Sequence, residues 1–288
     1  MGARSVIWLR RTGCGNWSSR FRGRVLLNLT LMAVIGLAAA CTNATTEPAA
    51  TGQTESSTQP SESGAQPSSG SRTYPQHTGI VATTFWVGEI FDPNADDGSQ
   101  VISTYDSQWF LHYGGCDGKV VGSDCQTEAR SAGNGYFPTS MTPKENPFYL
   151  DLPFDDINDP AAFARRGSVI PWADDPGYAG RQDDQSFSYM KNRWVQITKG
   201  DQTCYGQIQD AGPGQYNDAD YVFGSADQRP ANAKFNGAGM DVSPALNGCL
   251  GFADVNGQDD RVDWRFVEAS DVPPGPWQTV ITTSQVTS

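Results

Sequence analysis

The 288-residue chain holds only two histidines, His77 and His112, and no Cys-x-x-Cys pair, so a zinc cluster or a histidine-based proton relay has almost no material. No metal and no cofactor are expected. Gly-x-Ser-x-Gly, Walker and Gly-x-Gly-x-x-Gly sequences are also missing, which leaves acyl-hydrolase, nucleotide and dinucleotide chemistry without support. Acidic residues are absent before Cys41, where all six basic residues are arginine. From Cys41 onward 14 Lys and Arg stand against 32 Asp and Glu, a net charge of −18. Such a surface repels phosphate backbones and excludes a nucleic-acid partner. Residues 42–73 contain no Val, Ile, Leu, Met or aromatic residue. The rest is rich enough to fold, since 38% of the chain is hydrophobic and 11% aromatic.

Residues 1–24 are basic, Val25 to Ala40 is apolar apart from Asn28 and Thr30, and Ala38-Ala39-Ala40 leads into Cys41. That order is an export signal over residues 1–40. As a helix its apolar run would rise about 24 Å, short of the ~30 Å hydrocarbon core, which disfavours a permanent span. Leu37-Ala38-Ala39-Ala40-Cys41 resembles the lipobox of bacterial lipoproteins, with Ala38 where Leu is usual. The resemblance implies a lipid on Cys41 and a place on the outer face of the cell membrane or in the periplasm; ordinary secretion with an unmodified Cys41 is the alternative. Residues 41–73 are then a tether, because a stretch in which 14 of the 32 positions after Cys41 are Ser or Thr cannot bury enough area to offset ordering. A flexible coil of this length spans roughly 30 Å.

Residues 74–288 read as one domain, expected to be a monomer, with six of the eight tryptophans. Cys116, Cys125, Cys204 and Cys249 sit in an exported chain, where two disulfides are the default. Three connectivities are possible, and Cys116–Cys125 with Cys204–Cys249 is the favoured one. Strands dominate. Gly79–Val87, Phe148–Leu152, Ser168–Ile170, Arg193–Thr198, Gln202–Gln209 and Asp263–Val267 are β-branched or aromatic runs ending at Gly, Pro or polar turns. Lys199-Gly200-Asp201 reads as a hairpin turn. Helices are short: one over Asp159–Arg166, and one opened by Ser243 and Pro244 and stopped by Gly248.

The ordered string Val169-Ile-Pro171, Trp194–Ile197, Gln207-Ile-Gln-Asp210-Ala-Gly-Pro213, Gly239-Met-Asp241-Val-Ser-Pro-Ala-Leu246 and Trp264–Val267 is similar to that of six-stranded double-psi β-barrels. It resembles the group containing rare lipoprotein A, lytic transglycosylases, three-aspartate domains, expansins and barwin-like endoglucanases. The resemblance covers about residues 168–268, with a looser match for a first strand near Ala82–Trp86. It implies a mainly β fold with long loop insertions and short helices. Its acids fall on Asp210 and Asp241, and Asp151 matches a further aspartate, with Asp155 or Asp156 as substitutes; Glu89 or Asp92 follows the first strand, where barwin-like endoglucanases carry a second acid. Ala211 stands where rare lipoprotein A has Arg, Gly239-Met240 where expansins have His-Phe, and the loop from Asn94 to Asn146 exceeds what a minimal barrel needs.

The expected partner is therefore a cell-wall or other polysaccharide. Glycosidic cleavage needs a carboxylic acid to protonate the leaving oxygen, and a lytic transglycosylase needs only one, because the sugar's own hydroxyl attacks. Asp241, framed by Met240 and Val242, is expected to be that acid, with Asp210, Asp151 and Glu89 as further catalytic candidates. Among Trp86, Trp109, Trp172, Tyr136 and Tyr178, the rings expected to stack on sugar are Trp109 and Trp172. The run Asp92-Pro-Asn94-Ala-Asp96-Asp97-Gly98 departs from a calcium loop at its glycine and at Ser103. The rival expectation is a non-catalytic expansin-like carbohydrate-binding module or a structural envelope protein, since one barrel hosts many functions.

Overall fold

The computed structural model describes residues 72–94 and 98–287. The export segment, Cys41 and most of the tether lie outside the described residues, as does the centre of the Asp92–Gly98 loop. The strands are β1 (His77–Thr84), β2 (Lys119–Val121), β3 (Asp124–Gln126), β4 (Tyr149–Leu152), β5 (Trp194–Lys199), β6 (Gln202–Ala211), β7 (Met240–Val242) and β8 (Asp260–Val267). Six of them close a barrel in the order β1-β7-β4-β6-β5-β8, with β2 and β3 forming a separate small hairpin. β1 pairs with β7 and β4 with β6 in parallel, while the other four barrel pairings are antiparallel. This closed, mixed, six-stranded barrel is the architecture expected, and its order is compatible with a double-psi arrangement. The β5–β6 turn runs through Gly200 at a left-handed φ of 56°, a conformation glycine adopts without strain.

Side-chain alternation divides each strand between two environments. In β4, Leu150 and Leu152 point into the barrel beside Met240, Val242, Ala82 and Ile208, all fully buried. Tyr149, on the opposite face, joins Phe85, Val87, Trp109 and Tyr113 in a second apolar cluster outside the barrel wall. Asp151 shares that outer face of β4.

Four α-helices are present among the described residues: α1 (Trp109–Tyr113), α2 (Pro160–Val169), α3 (Ala219–Val222) and α4 (Pro244–Leu250). Asp159 caps α2 by accepting 2.9 Å bonds from Ala161 and Ala162, with Pro160 in the first turn. That cap propagates further than expected. Ser168, Val169 and Ile170, read as a strand from their β-branched side chains, are the last turn of α2 and its C-cap. Ser243 caps α4 through Leu246, but the helix stops at Gly251, which takes the left-handed C-cap conformation, and not at Gly248. Gly248 lies inside the helix, at a point where a Cβ would meet Arg130 at 2.7 Å. The disulfides are Cys116–Cys125 and Cys204–Cys249, the second tying β6 to α4. No helix among the described residues is long and apolar enough to cross a membrane.

Candidate functional site

The register of four strands places Thr83 opposite Asp241, Asp241 opposite Asp151, and Asp151 opposite Asp210. Direct cross-strand neighbours share a face, so these side chains form a row across β1, β7, β4 and β6 on the outside of the barrel wall. The last member joins through an irregularity. Leu150 pairs with Ile208 and Asp151 with Asp210, so Gln209 is an extra residue on β6. Without this bulge Gln209 would face Asp151 and Asp210 would turn to the other side, which is how bulges re-aim side chains beside functional sites. The displaced Gln209 amide donates instead to Asn192 Oδ1 at 2.9 Å.

Hydrogen bonds distinguish the three aspartates. Asp210 Oδ1 accepts two backbone amides, from Thr104 at 2.7 Å and Ala211 at 2.8 Å. Asp151 Oδ1 accepts the Asp241 amide at 2.9 Å, while Asp241 Oδ1 accepts the Thr83 hydroxyl. A Cβ at position 212 would lie 2.8 Å from Asp151 Oδ2, so only glycine lets the chain leave β6 past this carboxylate. Asp151 and Asp210 are buried, whereas Asp241 and Glu89 are half-buried and retain contact with solvent.

Electrostatics follow from that placement. Burial, then repulsion from Glu89 and Asp210, pushes Asp241 up to about 8. Burial and the neighbouring Asp241 and Asp210 charges raise Asp151 well above the carboxylate range. Asp210 is raised by burial only to about 6, because the two amides favour its charged form. Glu89, behind the β1 turn, is raised by burial to about 7. All four acids named from the sequence thus form one electrostatically connected group, in which neighbouring carboxyls hold protons at neutral pH and Asp210 is charged.

A cleft of about 490 Å³ opens beside Asp210. Phe91, Ile102 and Tyr216, each between 43% and 54% exposed, supply its apolar surface, and Asp155 and Asp159 its polar edge. The long insertion forms one side: Thr104 reaches Asp210, and Asn158 donates to the Thr104 carbonyl at 3.0 Å. Asp156, the other substitute for Asp151, lies apart from the row, held by Ser188 and Tyr189 at 2.6 Å and paired with buried Arg166.

Trp109 and Trp172 are not at the surface. Trp109 packs edge-on to Tyr149 in the outer cluster, and Trp172 donates to the Tyr189 carbonyl at 2.7 Å under the Arg193 guanidinium. With exposures of 1% and 0%, neither ring has a face open to a sugar. Phe91 and Tyr216 are the partly exposed rings that line the cleft. Thr83, Thr104, Phe91 and Tyr216 carry no signal in the sequence that separates them from their neighbours, since β1 alone holds Thr78, Thr83 and Thr84. Among the described residues no cluster of His, Cys, Asp or Glu is arranged to hold a metal ion. Comparisons with protein-family models, curated proteins and solved structures returned no match.

Proposed function

We propose that this chain is an exported lipoprotein, anchored through Cys41, whose double-psi-type barrel cleaves wall glycan by a lytic-transglycosylase-like route. The observation that carries this reading is the carboxylate row that reaches the cleft at Asp210, in which half-buried Asp241 keeps its proton up to about 8 while Asp210 is charged above about 6. A protonated carboxylic acid in contact with solvent at neutral pH is what a general acid requires. Asp241 donates its proton to the glycosidic oxygen as the C1–O bond breaks. A hydroxyl of the same sugar closes onto C1, forming an anhydro ring, and its proton returns to the Asp241 carboxylate. No water is consumed. The charged Asp210 stabilises the positive charge that develops on the sugar ring. Asp151 and Glu89 act as positioning and electrostatic residues: Asp151 holds the Asp241 amide, and Glu89 raises the Asp241 carboxyl. The two disulfides support export to an oxidising compartment.

The test is incubation of the full-length chain with purified peptidoglycan, with products read by mass spectrometry. Anhydro-sugar ends that disappear in Asp241→Asn support the route. Reducing ends alone would replace it by hydrolysis, and binding without any product would replace it by a non-catalytic glycan-binding module.

A further inference from the structure

We propose that segment 282–287 is a positioning strap for the candidate site, clamped by buried Lys191 and holding the turn from which Thr104 serves Asp210. The role of Asp210 rests on the glycan-cleavage reading above, while the strap rests on geometry.

Thr104 meets Asp210 with its amide at 2.7 Å and with its hydroxyl, so a single residue supplies two donors that favour the charged carboxylate. No strand or helix carries it. Thr104 sits in the turn 103–106, closed by backbone bonds of 2.9 and 3.2 Å between Ser103 and Asp106, and a donor on so short a turn is held in place only by its surroundings. Segment 282–287 is the backbone laid against it. Thr287 donates its amide to the Tyr105 carbonyl at 2.9 Å and accepts the Ser107 amide at 3.0 Å, which pairs it in parallel with Asp106. The Tyr105 ring, 1% exposed in the core, and Asn158, which donates to the Thr104 carbonyl, are the other anchors of the turn.

The strap is itself fastened to the barrel. Thr282 exchanges bonds of 3.0 and 3.1 Å with the Gln207 side chain of β6, and Asn192 donates to the Ser284 carbonyl at 2.9 Å. Lys191, 2% exposed, gives its ammonium to the Ser284 hydroxyl at 3.1 Å and the Gln285 carbonyl at 3.2 Å. A lysine is almost never so buried unless its charge is engaged. Glu145 and Asp106 face this one, and Ser284 continues the chain of bonds to Glu145 at 3.4 Å. Asp106, bonded to His112 at 2.7 Å, belongs to the turn, so the same ammonium faces both partners of the parallel bridge.

The groups acting on Asp210 are Asp151 and Asp241 in the row, Asp155 ahead of α2, and the Tyr105 hydroxyl. Segment 282–287 carries no titratable side chain. Its influence on Asp210 therefore passes through Thr104 and not through charge.

The test is Thr287→Pro in the full-length chain, which deletes the N–H given to Tyr105 and changes no charge. Carbon NMR of aspartate-labelled protein follows the Asp210 carboxyl, its signal assigned by its loss in Asp210→Asn. Complete loss of one bond to a charged carboxylate corresponds to about one to two pH units. With the Tyr105 ring and Asn158 still in place, the midpoint should rise from about 6 by at least about half a pH unit, and the rising limb of the turnover profile should move with it. Lys191→Met keeps the packing volume, removes the clamp and should shift the midpoint the same way; should Thr287→Pro not fold, this variant decides. Ile197→Val, a fully buried change in β5, should lower the melting temperature and leave the midpoint where it is. An unmoved Asp210 midpoint in Thr287→Pro, or an equal movement in Ile197→Val, overturns the strap. A shifted midpoint in a protein whose wild type turns over no wall glycan leaves the strap standing and removes the glycan-cleavage reading.

Discussion

Replacing Asp241 by Asn tests the protonated-acid assignment through stability as well as turnover. In the unfolded chain this carboxyl ionises near 3.8, and in the fold burial and its acidic neighbours hold the proton up to about 8. Between those values the folded state binds more protons than the unfolded one, so stability falls as pH rises through the window and is unaffected below it. Each pH unit costs about 1.4 kcal/mol, so at pH 7 the penalty reaches at most about 4 kcal/mol. The partial solvent contact of Asp241 keeps the true cost under that bound. Asn takes up no proton and keeps the oxygen that accepts the Thr83 hydroxyl. The variant should therefore be more stable than wild type at pH 7, by up to the full bound, and indistinguishable from it near pH 4. In a domain of this size each kcal/mol corresponds to roughly 2–4 °C in Tm. Glycan turnover should fall by about 100-fold or more over the same change. Urea unfolding at pH 4, 5.5 and 7, set beside turnover, measures both. A variant no more stable than wild type at pH 7 would show the carboxylate ionised in the fold and would refute the reasoning at its root.

Turnover should follow a bell-shaped pH profile, rising as Asp210 loses its proton near about 6 and falling as Asp241 loses its own near about 8; a rate still climbing at pH 9 would contradict the assignment. Cys204 and Cys249, both buried and 45 residues apart, should stabilise the domain by about 4 kcal/mol through loop closure, so the double Ser variant should melt much lower, and recovery of both as free thiols from the exported protein would remove the claim. Cys41→Ser should release the protein from membranes, and a variant that stays membrane-bound and uncleaved would indicate a spanning helix instead.

The mainly β character was legible because the strands are short β-branched runs bounded by Gly and Pro, the six-stranded barrel through the resemblance of the segments around Asp210 and Asp241 to double-psi barrels, and the α4 start because Ser243 and Pro244 announce it. Asp151, Asp210 and Asp241 could be named because each lies within a motif. What brings them together could not be named. The bulge at Gln209 is a property of two strands in register, and the Thr104 amide lies 106 residues from Asp210. Trp109 and Trp172 misled for a physical reason: a large ring serves equally well against sugar or inside a core, and only the packed neighbours decide. Ser168–Ile170 misled because three β-branched or polar residues state a weak preference, which a helix already nucleated at Asp159 overrides.

The alternation of β4 and β7 has an engineering consequence. In these two strands the residues that stabilise the barrel from within, Leu150, Leu152, Met240 and Val242, alternate with the carboxyl-bearing Asp151 and Asp241 outside it. Chemistry and cohesion are therefore written on opposite sides of the same few residues, in separate positions. A library that randomises only 83, 151, 210 and 241 would sample new outer-wall reactivity while leaving the interior packing untouched, and the price of each trial would be set by local hydrogen bonds, not by the loss of the fold.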